Sequence, residues 1–221
     1  MKRTQLTAQV KILGHGVIVA LCWFFLSAAA PPPKVVLILG DSLASGYGID
    51  STQAFPALIQ HKVNAKGWNF KVINAGQSGD TSAGGLGRLE WLLKNPVDVL
   101  VVELGGNDGL RGLPVEVTRK NLQTIIDRTR ERYPKVKVVI AGMKVPPNMG
   151  RDYGRQFDAV FPELAKKNKA ALIPFVLEGV GGVRDLNLPD GIHPTAKGHE
   201  IIAVNVWKVL EPVVRSVAAS Q

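Results

Sequence analysis

The sequence predicts an α/β domain: a five-stranded parallel sheet covered by helices on both faces. Two observations carry this. Five short runs of Val, Ile and Leu, bounded by Gly, Asn or Pro, recur along the chain. They are apolar throughout rather than alternating, as in strands buried on both faces. Between them lie apolar stripes at helical spacing, and such alternation implies parallel strands joined by right-handed crossovers. The chain has 221 residues, enough for one domain with a sizeable core. It shows no internal repeat and no second domain.

Taken in order, the strands are expected at Val35–Leu39, Lys71–Asn74, Val97–Glu103, Lys137–Ala141 and Ala171–Phe175. The first helix places Phe55, Leu58, Ile59 and Val63 on one face. Leu89, Leu92 and Leu93 follow, then Val115, Leu122, Ile125 and Ile126, with Pro114 and Glu116 suited to a first turn. Phe157, Val160, Phe161 and Leu164 form the next stripe. Ile202, Val206, Val209, Leu210, Val213 and Val214 form the last.

Residues 1–30 stand apart. Lys2, Arg3 and Lys11 precede an apolar stretch from Gly16 to Leu26, and Ser27-Ala28-Ala29-Ala30 supplies small residues for cleavage. This reads as a secretory signal peptide cut after Ala29 or Ala30, the stretch being short for a transmembrane helix. An uncleaved N-terminal anchor is the other reading. The domain is then 31–221, beginning at the stiff Pro31-Pro32-Pro33 linker, and the protein is expected in the periplasm or secreted. Cys22 is the single cysteine and follows Leu21, where a lipoprotein would have a small residue. A mature chain without cysteine has no disulfide, thiol nucleophile or cysteine metal site.

The net charge is +9, and loss of the three N-terminal cations leaves 24 basic against 18 acidic residues, or +6. A solvated basic surface is favoured over binding to anionic lipid. No Lys/Arg run carries interleaved aromatics, so nucleic acid is not indicated.

Four short blocks carry chemistry: Gly40-Asp41-Ser42-Leu43, Ser78-Gly79-Asp80, Gly105-Gly106-Asn107-Asp108 and Asp190-Gly191-Ile192-His193-Pro194. Each follows a predicted strand, so one rim at the carboxyl ends can collect all four. Ser42, in a loop of small residues, is a nucleophile or a helix cap. Asp41 adjoins it too closely to stand behind a histidine and is read as organising the loop. Gly79 lets backbone approach a ligand, and Asn107 offers an uncharged donor suited to an oxyanion. The Asp190-x-x-His193 spacing lets the carboxylate hold one ring nitrogen while the other faces Ser42. A helix-cap Asp beside a surface His is the bland reading of that pair. No third ligand at metal spacing joins it. Asp108 is read as structural, and His61 and His199 as surface residues on helices.

Together the blocks resemble the SGNH, or GDSL, hydrolase family over nearly all of residues 34 to 215. They are similar in particular to its bacterial periplasmic thioesterase, lysophospholipase and arylesterase members. Val35–Gly48, Asn74–Thr81, Val101–Gly112 and Asp190–Pro194 all fit. The resemblance implies a three-layer α/β/α sandwich of flavodoxin-like type and a serine esterase acting through an acyl-enzyme. It implies a catalytic Ser42, Asp190 and His193, an oxyanion hole of Ser42, Gly79 and Asn107, and no cofactor or metal. Ala44-Ser45 and Gln77 depart from the usual pattern and bear on substrate preference.

The expected substrates are small esters, thioesters or lysophospholipids, met by a monomer in transient contact with membrane lipid. Leu110, Leu113, Val145, Pro146, Met149 and Tyr153 are expected to line an acyl channel, or else merely to pack their loops. Two other functions stay open: a carbohydrate deacetylase on the same fold, and a non-catalytic periplasmic lipid- or glycan-binding module.

Overall fold

The computed structural model describes residues 31–220; the expected signal peptide, its cleavage site and Cys22 lie outside the described residues. Five strands form one parallel sheet: β1 (Lys34–Gly40), β2 (Phe70–Gly76), β3 (Val99–Glu103), β4 (Lys137–Ala141) and β5 (Ala171–Ile173). Their spatial order is β2-β1-β3-β4-β5. The chain therefore winds from β1 to β2, crosses back over β1 to β3, and continues the other way. The direction reverses between β1 and β3, and in sheets of this kind that switch point makes a crevice at the carboxyl ends of the strands.

The helices are α1 (Ser42–Ser45), α2 (Phe55–Ala65), α3 (Ser82–Gly87), α4 (Leu89–Leu92), α5 (Gly106–Leu110), α6 (Val115–Arg132), α7 (Arg151–Asn168) and α8 (Ala196–Ala218). α2 and α8 pack together on one side of the sheet, while α3, α6 and α7 neighbour one another on the other. In α6, Val115, Thr118, Leu122, Ile125, Ile126 and Thr129 are buried, the spacing of one helical face. Glu116 lies in its first turn, and Arg130 and Arg132 in its last, complementing the helix dipole at both ends. α8 starts where the Thr195 side chain accepts from the Gly198 N–H.

β1 and β3 are the centre of the core: Val36 to Leu39 and Val99 to Val102 are each at most 1% exposed. The expected strands all form, β4 with the ends expected and the others with shifted ends. β5 stops at Ile173 because Pro174 has no N–H to continue the ladder. β2 runs longer than expected because its polar residues still pair with β1 up to Gly40↔Gly76.

One expectation is overturned. His199 is not a surface residue; it is fully buried. It falls in phase with Ile202, Ala203 and Val206 on the inner face of α8. Its Nδ1 accepts from the Phe55 N–H at 3.2 Å, and its ring stacks on Phe55. Burial pushes its pKa from 6.5 down to about 4. The unfolded chain thus binds the proton first as pH falls. The stability contributed by neutral His199 is complete above about pH 6.5 and is lost between about 6.5 and 4, to a total of about 3 kcal/mol. His199→Gln keeps an acceptor for Phe55 without titrating. Urea unfolding should show wild type losing about 3 kcal/mol more than this variant from pH 7.5 to 4. Asp41 and Glu103, described below, titrate in both proteins and cancel in the difference. A constant difference across that range would contradict the assignment.

Candidate active site

β1 ends at Gly40, and the chain turns at once into α1. Asp41 caps that short helix, its Oδ1 accepting from the Leu43 N–H at 3.0 Å. Ser42, the first helical residue, stands at the head of the crevice. Gly40 is required by close approach: a Cβ there would lie 2.3 Å from Glu103 Oε2 and 2.5 Å from Ala44 Cβ. Glu103, at the tip of β3, accepts from the Asp41 N–H and thereby ties the serine turn to the neighbouring strand.

The Asp190–Pro194 loop reaches this turn from the far end of the chain. Asp190 Oδ2 lies 2.7 Å from His193 Nδ1, and His193 Nε2 lies 3.1 Å from Ser42 Oγ. Asp190 Oδ1 also accepts from the Ile192 and His193 N–H groups, at 2.9 and 3.0 Å. These hydrogen bonds, that from the His193 backbone first, hold the Asp190 pKa down at about 2. The carboxylate is therefore ionised at neutral pH. The loop is fixed by the bridge between Asn187 and Pro194 and by the Leu188 N–H donating to the His193 carbonyl at 2.7 Å.

Gly79 follows β2 with φ of 84°, a left-handed conformation natural to glycine. Asn107 sits in α5, just beyond β3. Its Nδ2 donates to the Asp80 carbonyl at 2.9 Å and, over a longer 3.2 Å, to Asp41 Oδ2. The second bond is the longer and weaker of the two. Asp41 is thus an organiser, as its position suggested, but it organises Asn107 as well as its own loop.

Burial pushes the Asp41 pKa up to about 6, and burial together with the nearby Asp41 carboxylate holds Glu103 well above the ordinary carboxylate range. Glu103 Oε1 meets no hydrogen-bond partner among the described residues. Asp108 is buried and structural: it accepts from the Ser82 N–H at 2.7 Å and from the Ser82 and Thr118 hydroxyls.

Two supports were not foreseen from the sequence. Arg88 donates to Asp80 Oδ2 at 2.7 Å, to the Gly40 carbonyl at 2.9 Å and to the Ala75 carbonyl at 2.6 Å. One guanidinium thus clamps the ends of β1 and β2 and the Gly79 block. Ser45 Oγ bonds Ser78 Oγ at 2.8 Å, joining the nucleophile turn to that same block. The Ala44-Ser45 departure therefore has a physical part in the site. Only signals from tertiary contact could have found either one.

The residues expected beside an acyl chain lie on two adjoining segments. The Tyr153 hydroxyl donates to the Leu113 carbonyl at 2.8 Å. Val145 Cγ1 fills the space beside Gly109, and Met149 Cε lies beside Gly112. Leu110 is 43% exposed on the segment that starts at Asn107. A separate open groove of about 470 Å³ between α6 and α7 is lined by charged residues such as Arg119, Lys120 and Glu163. It shares no residue with this site.

The model of the GDSL-like Lipase/Acylhydrolase family matches residues 38–201. The Esterase TesA of Pseudomonas aeruginosa is 42% identical over 181 residues, which is 81% of this chain and 89% of that protein. The Thioesterase 1/protease 1/lysophospholipase L1 of Escherichia coli K12 is 41% identical over 181 residues, 81% of this chain and 84% of that protein. The crystal structure of TesA matches with a TM-score of 0.78 at 41% identity, covering 81% of this chain and 99% of that one.

Proposed function

As a member of the GDSL-like Lipase/Acylhydrolase family the chain is a serine esterase, and we propose that Ser42, His193 and Asp190 form its catalytic triad, acting on acyl esters and thioesters. The observation that carries this reading is the unbroken run from Asp190 Oδ2 through His193 to Ser42 Oγ, at 2.7 and 3.1 Å. Nε2 of His193 takes the Ser42 proton as Oγ attacks the acyl carbon. The carbonyl electrons pass to oxygen, which the Gly79 and Ser42 N–H groups and the Asn107 amide receive. His193 then gives its proton to the leaving oxygen or sulfur as that bond breaks. Water, deprotonated by His193, then attacks the acyl carbon; the bond to Ser42 Oγ breaks as His193 returns the proton to Oγ, and the acid leaves.

Leu110, Leu113, Val145, Met149 and Tyr153 are proposed to carry the acyl chain, with the exposed Leu110 on the same short helix as Asn107. The triad argues against a non-catalytic binding module, since binding alone requires no aligned serine and base. The protein acts as an exported monomeric domain of residues 31–221, freed of residues 1–30, meeting lysophospholipid at the membrane face.

The test is hydrolysis of p-nitrophenyl esters from acetyl to palmitoyl by the chain lacking residues 1–30. Rates that rise to hexanoyl or beyond are expected. Activity confined to acetyl would overturn the acyl-chain assignment and favour acetylated sugars as substrates.

A further inference from the structure

We propose that Tyr47 and Ile192 form a leaving-group subsite beside His193, one that selects flat aromatic alcohols over aliphatic alcohols of equal acidity. This rests on the roles of Ser42 and His193 proposed above and adds a specificity determinant to them.

Tyr47 lies open against the imidazole, and Ile192 is the exposed apolar neighbour of His193 in the chain. Tyr47 is 51% exposed, and Ile192, adjacent to His193 in the chain, is 47% exposed. The Tyr47 ring lies against the His193 ring, with centroids 4.4 Å apart and planes tilted by 40°. Open apolar side chains are ordinary singly; two held at a catalytic base form a surface for something that visits it.

Both are held in place. The Tyr47 N–H donates to the Ser42 carbonyl at 3.1 Å. The next residue, Gly48, has φ of 78°, and a Cβ on it would lie 2.5 Å from Leu188 Cδ1. Leu188 in turn is tied to the His193 carbonyl. The turn bearing Tyr47 and the loop bearing His193 are therefore packed on each other. The Ile192 N–H is fixed by Asp190. A ring positioned before binding loses little freedom when a ligand stacks on it.

The chemistry decides which part of the substrate meets this surface. In the tetrahedral intermediate one oxygen faces Gly79 and Asn107, and the leaving heteroatom must lie within hydrogen-bond reach of His193 Nε2 to take its proton. The leaving group's first carbon is then one bond from that heteroatom, beside the imidazole and the Tyr47 ring. The acyl chain takes the remaining direction. A phenyl group here can pack offset or edge-on against Tyr47 and cover Ile192, whereas an alkyl group of similar size forgoes the aromatic contact.

The experiment compares phenyl hexanoate with the hexanoate of a fluoroalkyl alcohol matched to phenol in acidity, so that bond breaking is equally easy. For Tyr47→Leu the ratio of the two kcat/KM values should fall about three- to tenfold relative to wild type. Tyr47→Phe should keep the wild-type ratio, because the ring and not the hydroxyl makes the contact. Ile192→Ser should lower the ratio in the same direction by a smaller factor. An unchanged ratio in Tyr47→Leu, or equal loss on both esters, would overturn the subsite; the second result would mean that the ring only supports His193. Ser42→Ala is measured on the same pair. Undiminished hydrolysis by that variant would remove the underlying triad reading, whatever Tyr47 does.

Discussion

Ser42→Ala lowers kcat by about 10⁴- to 10⁶-fold. The proposed chemistry requires Oγ as the atom that becomes acylated, and no neighbour can replace it. The Ser45 hydroxyl is turned to Ser78 Oγ and the Ser42 carbonyl, and the region holds no cysteine. The variant should fold normally, because the helix cap is Asp41 rather than Ser42. The Ser42 carbonyl, which accepts from the Gly46 and Tyr47 N–H groups, is unaffected by loss of the side chain. The Gly79 and Asn107 donors survive, so a residual rate above that of water remains. Steady-state kinetics checks the rate, and intact-protein mass spectrometry after a fluorophosphonate checks the nucleophile. Wild type should gain one adduct and the variant none. A variant that kept the wild-type rate would show that another group is acylated.

Asp190→Asn lowers kcat by about 10³- to 10⁴-fold while leaving the loop in place. Asp190 uses its two oxygens for separate tasks. Oδ1 accepts from the Ile192 and His193 N–H groups, and Oδ2 holds the imidazole through Nδ1. Asparagine retains an oxygen for the first task and offers an N–H₂ for the second. The ring is then driven to the tautomer with its proton on Nε2, which cannot accept from Ser42. Because Asp190 in wild type is held at about 2, its charge does not change between pH 5 and 9. Raising the pH therefore leaves the deficit of the variant in place. Measuring kcat over that range, with a thermal melt to show that the fold is kept, tests this. Recovery of the wild-type rate at high pH would contradict the tautomer argument.

The sheet and the chemical blocks were legible because both depend on local composition. Apolar runs such as Val35–Leu39 and Lys137–Ala141 are strands by pattern alone, and Ser42, Gly79, Asn107 and His193 all follow strands at positions where chemistry is exposed. The structure brings His193 to Ser42 and Asn107 to the same crevice, as the spacing suggested. What was not legible depends on contacts across the chain. Arg88, in the turn between α3 and α4, reads as a solvated cation until the carbonyls of Gly40 and Ala75 are seen to converge on it. Glu103 ends an apolar strand and looks like its polar boundary, yet it is fully buried. His199 was legible by phase, since its spacing to Ile202 and Val206 follows the apolar stripe of α8, although its residue type suggests a surface position. α1 and α5 have four and five residues and are too short to leave a periodic signal, whereas Leu89, Leu92 and Leu93 marked α4.

Ser42 and His193 are 151 positions apart. During synthesis the serine leaves the ribosome early, while its proposed base and the α8 segment that follows come near the end. A growing chain that exposes the serine turn therefore carries an inert alcohol. It has no hydrolytic power over the acyl compounds around it until the C-terminal segment has docked. The same arithmetic governs decay: a protease that removes the α8 segment and the loop before it silences the enzyme in one cut, leaving Ser42 untouched.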